Sequence, residues 1–198
     1  MPFTSVPLPQ AELLLDPQFV PAPAAPQLLT TLTAAVAWRQ EPIRLFGREV
    51  MQPRLTAWYG DAGAAYRYSG LRLEPLPWLS ELRELRQRLE MAVGAPFNSV
   101  LLNLYRTGQD SMGWHADDEP ELGPEPVIAS VTLGATRTFR LKPRHPQATP
   151  HPPLSLPLTS GSLLVMRGPT QRHWLHALPK TTRPVGPRLN LTFRHIVR

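Results

Sequence analysis

Residues 98–105, NSVLLNLY, begin a series of short runs that decides the fold: VIASVTLG at 127–134, RTFRLK at 137–142, LSLPL at 154–158, SLLVM at 162–166, HWLHAL at 173–178 and RLNLTFRHI at 188–196. Each run is β-branched or alternating, and Gly or Pro separates it from the next, which is the pattern of half-buried strands. So many strands within about a hundred residues specify a sandwich or jelly roll. Upstream the period changes. In WLSELRELRQRLEMAV, 78–93, Leu79, Leu82, Leu85, Leu89 and Val93 share one face and the Arg and Glu residues the other, predicting an amphipathic helix. Pro77 and Ser80 suit its first turn, and Gly94 with Pro96 ends it. QLLTTLTAAVAW, 27–38, predicts a second helix, and the Pro- and Ala-rich residues 1–26 an irregular N-terminal arm. The expected fold is mainly β with flanking helices (α+β), one compact domain made of an arm (1–26), a helical segment (27–96) and a β core (97–198).

A chain of 198 residues, 42% of them apolar, can bury one substantial core. It has no cysteine, which excludes disulfides, thiolate zinc sites and a cysteine nucleophile, so any metal must be held by His and carboxylate. No apolar run reaches about eighteen residues, and MPFTSVPLPQAELLLD lacks the pattern of a signal peptide, so the expectation is a soluble intracellular protein with no membrane partner, taken by default as a monomer. The net charge of +6 suits a phosphate-rich partner. Of 21 basic residues only Lys142 and Lys180 are lysine, a bias that fits either bidentate phosphate contacts or a GC-rich genome. Arg137, Arg140, Lys142 and Arg144 form a basic stretch that reads as a phosphate contact or as a solvated face. His145 and His151, in a Pro-rich loop, are expected in solvent.

SMGWHADDE places His115 and Asp117 two residues apart, so in an extended strand both side chains reach one ion. Alone this is weak, because such triplets arise by chance. A distal His would complete a two-His, one-carboxylate set of the kind that holds Fe(II). HWLHAL offers His173 and His176, which face opposite sides of a strand, and spacing does not choose between them. On the last strand Arg188, Asn190, Thr192 and Arg194 share a face. If that face is inward, two buried arginines require an anion such as a dicarboxylate; if it is outward, they are simply solvated.

Taken together, Asn103 and Tyr105 in NLY, His115 and Asp117 in GWHADDE, His176 in HWLHALPK and Arg188, Asn190, Thr192 and Arg194 in PRLNLTFR resemble the AlkB family of dealkylating dioxygenases, most closely its DNA-repairing eukaryotic members. The likeness extends upstream through PRLTAWYG and WYGDAGAAYRYSG. It implies a double-stranded β-helix (jelly-roll) core, Fe(II) held by His115, Asp117 and His176, and 2-oxoglutarate held by Asn103, Tyr105, Arg188, Asn190, Thr192 and Arg194, with O2 as co-substrate. Arg188 would take the far carboxylate and Arg194 lie nearer the keto-acid end. The implied reaction is oxidative dealkylation of bases such as 1-methyladenine or 3-methylcytosine in single- or double-stranded DNA, with RNA or a protein side chain as the alternative substrate. In that reading residues 27–96 include a nucleotide-recognition lid, Tyr66 and Tyr68 wall the flipped base, Asp118 and Glu119 favour a cationic base, and Phe46 fills the gap in the duplex. The compartment would be a bacterial cytosol or a nucleus.

Overall fold

A computed structural model of the chain describes residues 3–45, 48–64, 66–68 and 71–197. In chain order the strands and helices are β1 (Thr4–Val6), β2 (Glu12–Asp16), α1 (Ala25–Ala35), β3 (Pro42–Leu45), β4 (Arg48–Met51), β5 (Leu55–Gly60), β6 (Tyr66–Tyr68), β7 (Leu71–Leu73), α2 (Ser80–Val93), β8 (Ser99–Tyr105), β9 (Met112–His115), β10 (Ile128–Gly134), β11 (Arg137–Pro143), β12 (Leu154–Leu158), β13 (Leu163–Arg167), α3 (Thr170–His173), β14 (Trp174–Leu178) and β15 (Arg188–Arg194). From β8 onward consecutive strands are shared between two stacked sheets, β13-β10-β15-β8 in the major one and β12-β11-β14-β9 in the minor one. This is the jelly roll expected from the strand runs. β10 ends at Gly134, where φ is +86° and an added Cβ would stand 2.4 Å from the Pro187 carbonyl oxygen, so only glycine fits where the chain leaves one sheet for the other.

The alternation of the sequence sorts the two faces of the major sheet. Along β15, Leu189, Leu191 and Phe193 join Val100, Leu102 and Leu104 of β8 and Ala129, Val131 and Leu133 of β10 in a core that includes Leu32 of α1 and Leu82, Leu85 and Leu89 of α2. The other residues of β15, Arg188, Asn190, Thr192 and Arg194, face the interior between the sheets. β15 is buried along its whole length, with Arg188 2% and Arg194 7% exposed. The inward alternative for the arginines is therefore the observed one. The layers on both sides explain why: helices α1 and α2 pack over one face of the major sheet and the minor sheet lies over the other, so neither face of β15 reaches water.

Three expectations need correction. Residues 1–26 are not an irregular arm, since β1 pairs with β2, and β2 adds to the major sheet against β13, with Leu14 opposite Val165. ELLLD lacks polar alternation because Leu13 is buried between the sheets while Leu14 packs on the helical side. The segment 27–96, expected as helices and a lid, also extends the β core: β5 lengthens the major sheet beside β8, and β3–β4 and β6–β7 form separate hairpins. His173 is not on a strand, because α3 ends there and β14 begins at Trp174. The long amphipathic helix runs over Ser80–Val93 and closes at Gly94 in the left-handed conformation, φ 72°. α1 begins two residues before the expected start. No helix among the described residues is long and apolar enough to cross a membrane.

Candidate metal and dicarboxylate site

The jelly roll brings residues from four strands to one point between its sheets. β14 pairs with β9 so that His176 stands opposite His115, their ring centroids 4.2 Å apart. Asp117 follows β9, and donor atoms of His115, Asp117 and His176 lie within 4.8 Å of one another. Among the described residues these form the one group of three or more His, Cys or carboxylate residues able to share a metal ion. His115 Nδ1 lies 2.9 Å from the Gly113 carbonyl oxygen; a proton donated there leaves Nε2 with its lone pair for a metal. Burial pushes the His176 imidazole down to about 3, the nearby His115 ring acting in the same direction, so His176 is neutral and competent as a ligand. Burial alone would raise the Asp117 carboxyl, but the charge of Arg194 above all holds it below its ordinary value. Arg194 Nη2 donates to Asp117 Oδ1 at 2.5 Å.

Beside this cluster, β15 carries a second buried cation, Arg188. Arg188 Nη2 donates to Thr132 Oγ1 and to Asn190 Oδ1, both at 2.8 Å, and its guanidinium carbon lies 5.4 Å from the centre of the Tyr105 ring. Burial lowers its pKa to about 10, which still leaves it charged at neutral pH. Nε of Arg188 and Nε of Arg194 are buried without hydrogen-bond partners, and among the described residues no carboxylate pairs with Arg188. Asn190 Nδ2 in turn donates to Thr192 Oγ1 at 2.9 Å, and Ser130 Oγ to Asn190 Oδ1 at 3.2 Å, a ladder of side chains that fixes the guanidinium. Burial raises the Tyr105 pKa against the charges of Arg188 and Arg54, so its hydroxyl remains a neutral donor. Tyr105, Asn103, Arg188, Asn190, Thr192 and Arg194 all line a cavity of about 40 Å³ that also reaches the three possible metal ligands. A buried guanidinium with an orphaned N–H, next to a His-Asp-His cluster able to hold a metal, fits an anionic ligand such as a dicarboxylate.

A larger cavity of about 320 Å³ opens from the same residues, lined by Trp58, Leu76, Gln52, Glu41, Glu74 and Glu119 among others. Arg39 and Arg54 also line it, Arg54 committed through Nε to Asn103 Oδ1 at 2.8 Å.

The structure separates the remaining expected site residues. Glu119 lines the larger cavity, whereas Asp118 does not; it is exposed and paired with Arg144 at 2.6 Å, its charge neutralised away from the site. Phe46 lies outside the described residues. Tyr66 and Tyr68 occupy β6, but their side chains lie outside those described. Arg137 is no phosphate contact: it is 4% exposed and donates to the carbonyls of Thr107, Asp110 and Pro179. Arg140 and Lys142 flank Trp114 on the outer face of the minor sheet. His145 is exposed, but His151 is half-buried against Trp174. Sequence reasoning missed Arg54, Thr132 and Gln171. Only contacts between segments distant in sequence bring them in; Arg54 meets Asn103 over 49 residues, and no local spacing signals such a contact.

Comparison with known proteins agrees with this geometry. A family model described as the 2OG-Fe(II) oxygenase superfamily matches residues 12–194, which is the class that the jelly roll, the His-Asp-His cluster and the buried arginines define. The human alpha-ketoglutarate-dependent dioxygenase alkB homolog 3 is 43% identical over 192 residues, covering 94% of this chain and 66% of that protein. Human DNA oxidative demethylase ALKBH2 is 44% identical over 161 residues, covering 78% of this chain and 61% of that protein. The chain thus spans about two thirds of the length of these relatives. The solved structure of OsALKBH1 superposes with a TM-score of 0.69 over 98% of this chain and 100% of that one at 15% identity, a likeness of fold. The chain belongs to the AlkB family within the 2OG-Fe(II) oxygenase superfamily.

Proposed function

We propose that this chain is an Fe(II)- and 2-oxoglutarate-dependent dioxygenase that oxidatively removes methyl groups from damaged bases such as 1-methyladenine and 3-methylcytosine in DNA. The observation that carries the reading is the buried Arg188, which pairs with no carboxylate among the described residues, beside a His-Asp-His cluster of which His115 and Asp117 also line a cavity of about 320 Å³. His115, Asp117 and His176 would hold the iron, and Asn103, Tyr105, Arg188, Asn190, Thr192 and Arg194 the 2-oxoglutarate. When bound, the iron and 2-oxoglutarate would supply the oxidising power: O2 and 2-oxoglutarate are consumed, succinate and CO2 leave, and the hydroxylated N-methyl group is lost as formaldehyde.

The protein supplies placement and charge. Arg188 would take the far carboxylate in a fork, steadied by Thr132 and Asn190, while Tyr105 donates from its hydroxyl. Arg194 orients the Asp117 carboxylate. In the larger cavity, Glu119 is proposed to favour a cationic alkylated base over a neutral one by charge attraction. Trp58 and Leu76 offer it apolar contact, and Tyr66 and Tyr68 are proposed as its aromatic wall, with Phe46 filling the duplex. A base that has lost its Watson–Crick face costs less to flip. The enzyme would act as a monomer in a bacterial cytosol or a nucleus.

The test incubates the protein with Fe(II), ascorbate, 2-oxoglutarate and a 1-methyladenine oligonucleotide, as single strand, duplex or RNA, and follows methyl loss by mass spectrometry. Demethylation that needs 2-oxoglutarate and vanishes in His115→Ala is the expected result. Succinate formation with no oligonucleotide changed would reject the nucleic-acid substrate, and absence of succinate would reject the reaction.

A further inference from the structure

We propose that Gln171 is a positioning residue for the metal site: its side-chain amide, in place of sheet pairing, sets where the Asp117 carboxylate stands. The inference rests on the reading of Asp117 as a metal ligand. β9 ends at His115, and no strand is formed by residues 116–119, so the second ligand rides on a segment that the ladder does not hold. Spacing in a strand therefore does not account for its position. The buried Asp117 N–H instead donates to Gln171 Oε1 at 2.9 Å, across 54 residues of chain.

Gln171 is itself fixed. It is 2% exposed, and its Nε2 lies 3.6 Å from Sδ of Met166, a residue of β13 that is also 2% exposed. Sulfur is a weak acceptor, so the amide oxygen is the end committed to a strong bond, and it is the end given to Asp117. α3, which carries Gln171, is one turn long and held by Thr170, whose hydroxyl donates to Arg167 O at 2.6 Å and accepts from the Glu12 N–H at 2.9 Å. Arg144 closes the segment from outside: its Nη1 lies 2.6 Å from Asp118 Oδ2 and 3.5 Å from Gln171 O, and its N–H donates to His173 O. Glu119, two residues beyond Asp117, lines the larger cavity, so the same anchor sets an edge of the cavity proposed for the base. Outer contacts of this kind typically change metal affinity by about 10–100-fold when removed.

The experiment titrates Fe(II) without oxygen into the wild-type protein, Gln171→Met and Gln171→Glu at saturating 2-oxoglutarate, following the visible charge-transfer band. Methionine keeps the length and removes the acceptor; glutamate keeps an oxygen where the amide oxygen stands. We expect metal binding about tenfold weaker in Gln171→Met and within about threefold of wild type in Gln171→Glu. Unchanged affinity in Gln171→Met, or equal loss in both variants, overturns the proposal, because a purely structural role for Gln171 gives one or the other. Should Gln171→Met not fold, amide exchange in the wild-type protein decides: an Asp117 N–H protected as strongly as strand amides supports the anchor, and one exchanging as fast as that of exposed Asp118 overturns it. A wild-type protein that gives no band refutes the oxygenase reading itself, a failure distinct from that of the anchor.

Discussion

Arg188 is a fully buried guanidinium that finds two neutral acceptors, Thr132 Oγ1 and Asn190 Oδ1, and leaves Nε without a partner. A buried charge in this state lowers the stability of the empty protein, since neutral hydrogen bonds offset only part of its desolvation. The same deficit is what a bound carboxylate relieves. Replacement by methionine should therefore separate the two effects. Steady-state kinetics of Arg188→Met should show KM for 2-oxoglutarate raised by at least about thirtyfold, the lower end of what removing one partner of a buried charge pair costs. The thermal midpoint of the metal-free protein should stay equal or rise. An unchanged KM would remove Arg188 from the dicarboxylate site. At this scale the sequence showed which residues share a face of β15, because side chains alternate strictly along a strand. It could not show whether that face was wet, which depends on the minor sheet lying over it.

Among the elements, α1, α2 and most strands after residue 98 were legible, because each carries a local period of 3.6 or 2 or is a short apolar run bounded by Gly or Pro. β1 and β2 were not. They sit among prolines, β2 shows three consecutive leucines, and its partner β13 lies about 150 residues along the chain. What makes β2 a strand is the open edge of β13 and the buried slot for Leu13, which is 1% exposed and packs with Leu164, Met166 and Trp174. Leu13→Ala should accordingly destabilise the protein by about 3 kcal/mol, the usual cost of a leucine-sized cavity in a core. Urea unfolding at constant slope measures it; a loss under about 1 kcal/mol would mean that β2 only lies on the surface of the sheet. Because Glu12 meets both Thr170 and Arg167, β2 also supports the helix that carries Gln171.

For the molecule as a whole, a net charge of +6 is carried mainly by arginine, part of which is internal: Arg54, Arg137, Arg188 and Arg194 are each buried. The cations left at the surface are fewer than composition suggests, so the phosphate contacts on a nucleic acid should be few. Binding of a single-stranded 1-methyladenine oligonucleotide should weaken with salt, the logarithm of affinity falling with log salt at a slope between about −1 and −4, at roughly −0.7 per phosphate contact. Fluorescence anisotropy from 50 to 300 mM salt reads that slope; a value near zero would exclude phosphate contacts from the interface. Composition, period and motif order together determined the jelly-roll class, the two main helices, the family resemblance and a short roster of His, Asp and Arg residues, because those properties are written in local spacing or in residue identity. Only the tertiary structure decided that α3 takes His173 out of β14, that the N-terminal strands complete the sheet, that Asp118 turns to Arg144 while Glu119 enters the cavity, and that Gln171 reaches Asp117. Each of these depends on which surfaces two stacked sheets leave open to each other, and contacts across tens of residues leave no periodic trace in the chain.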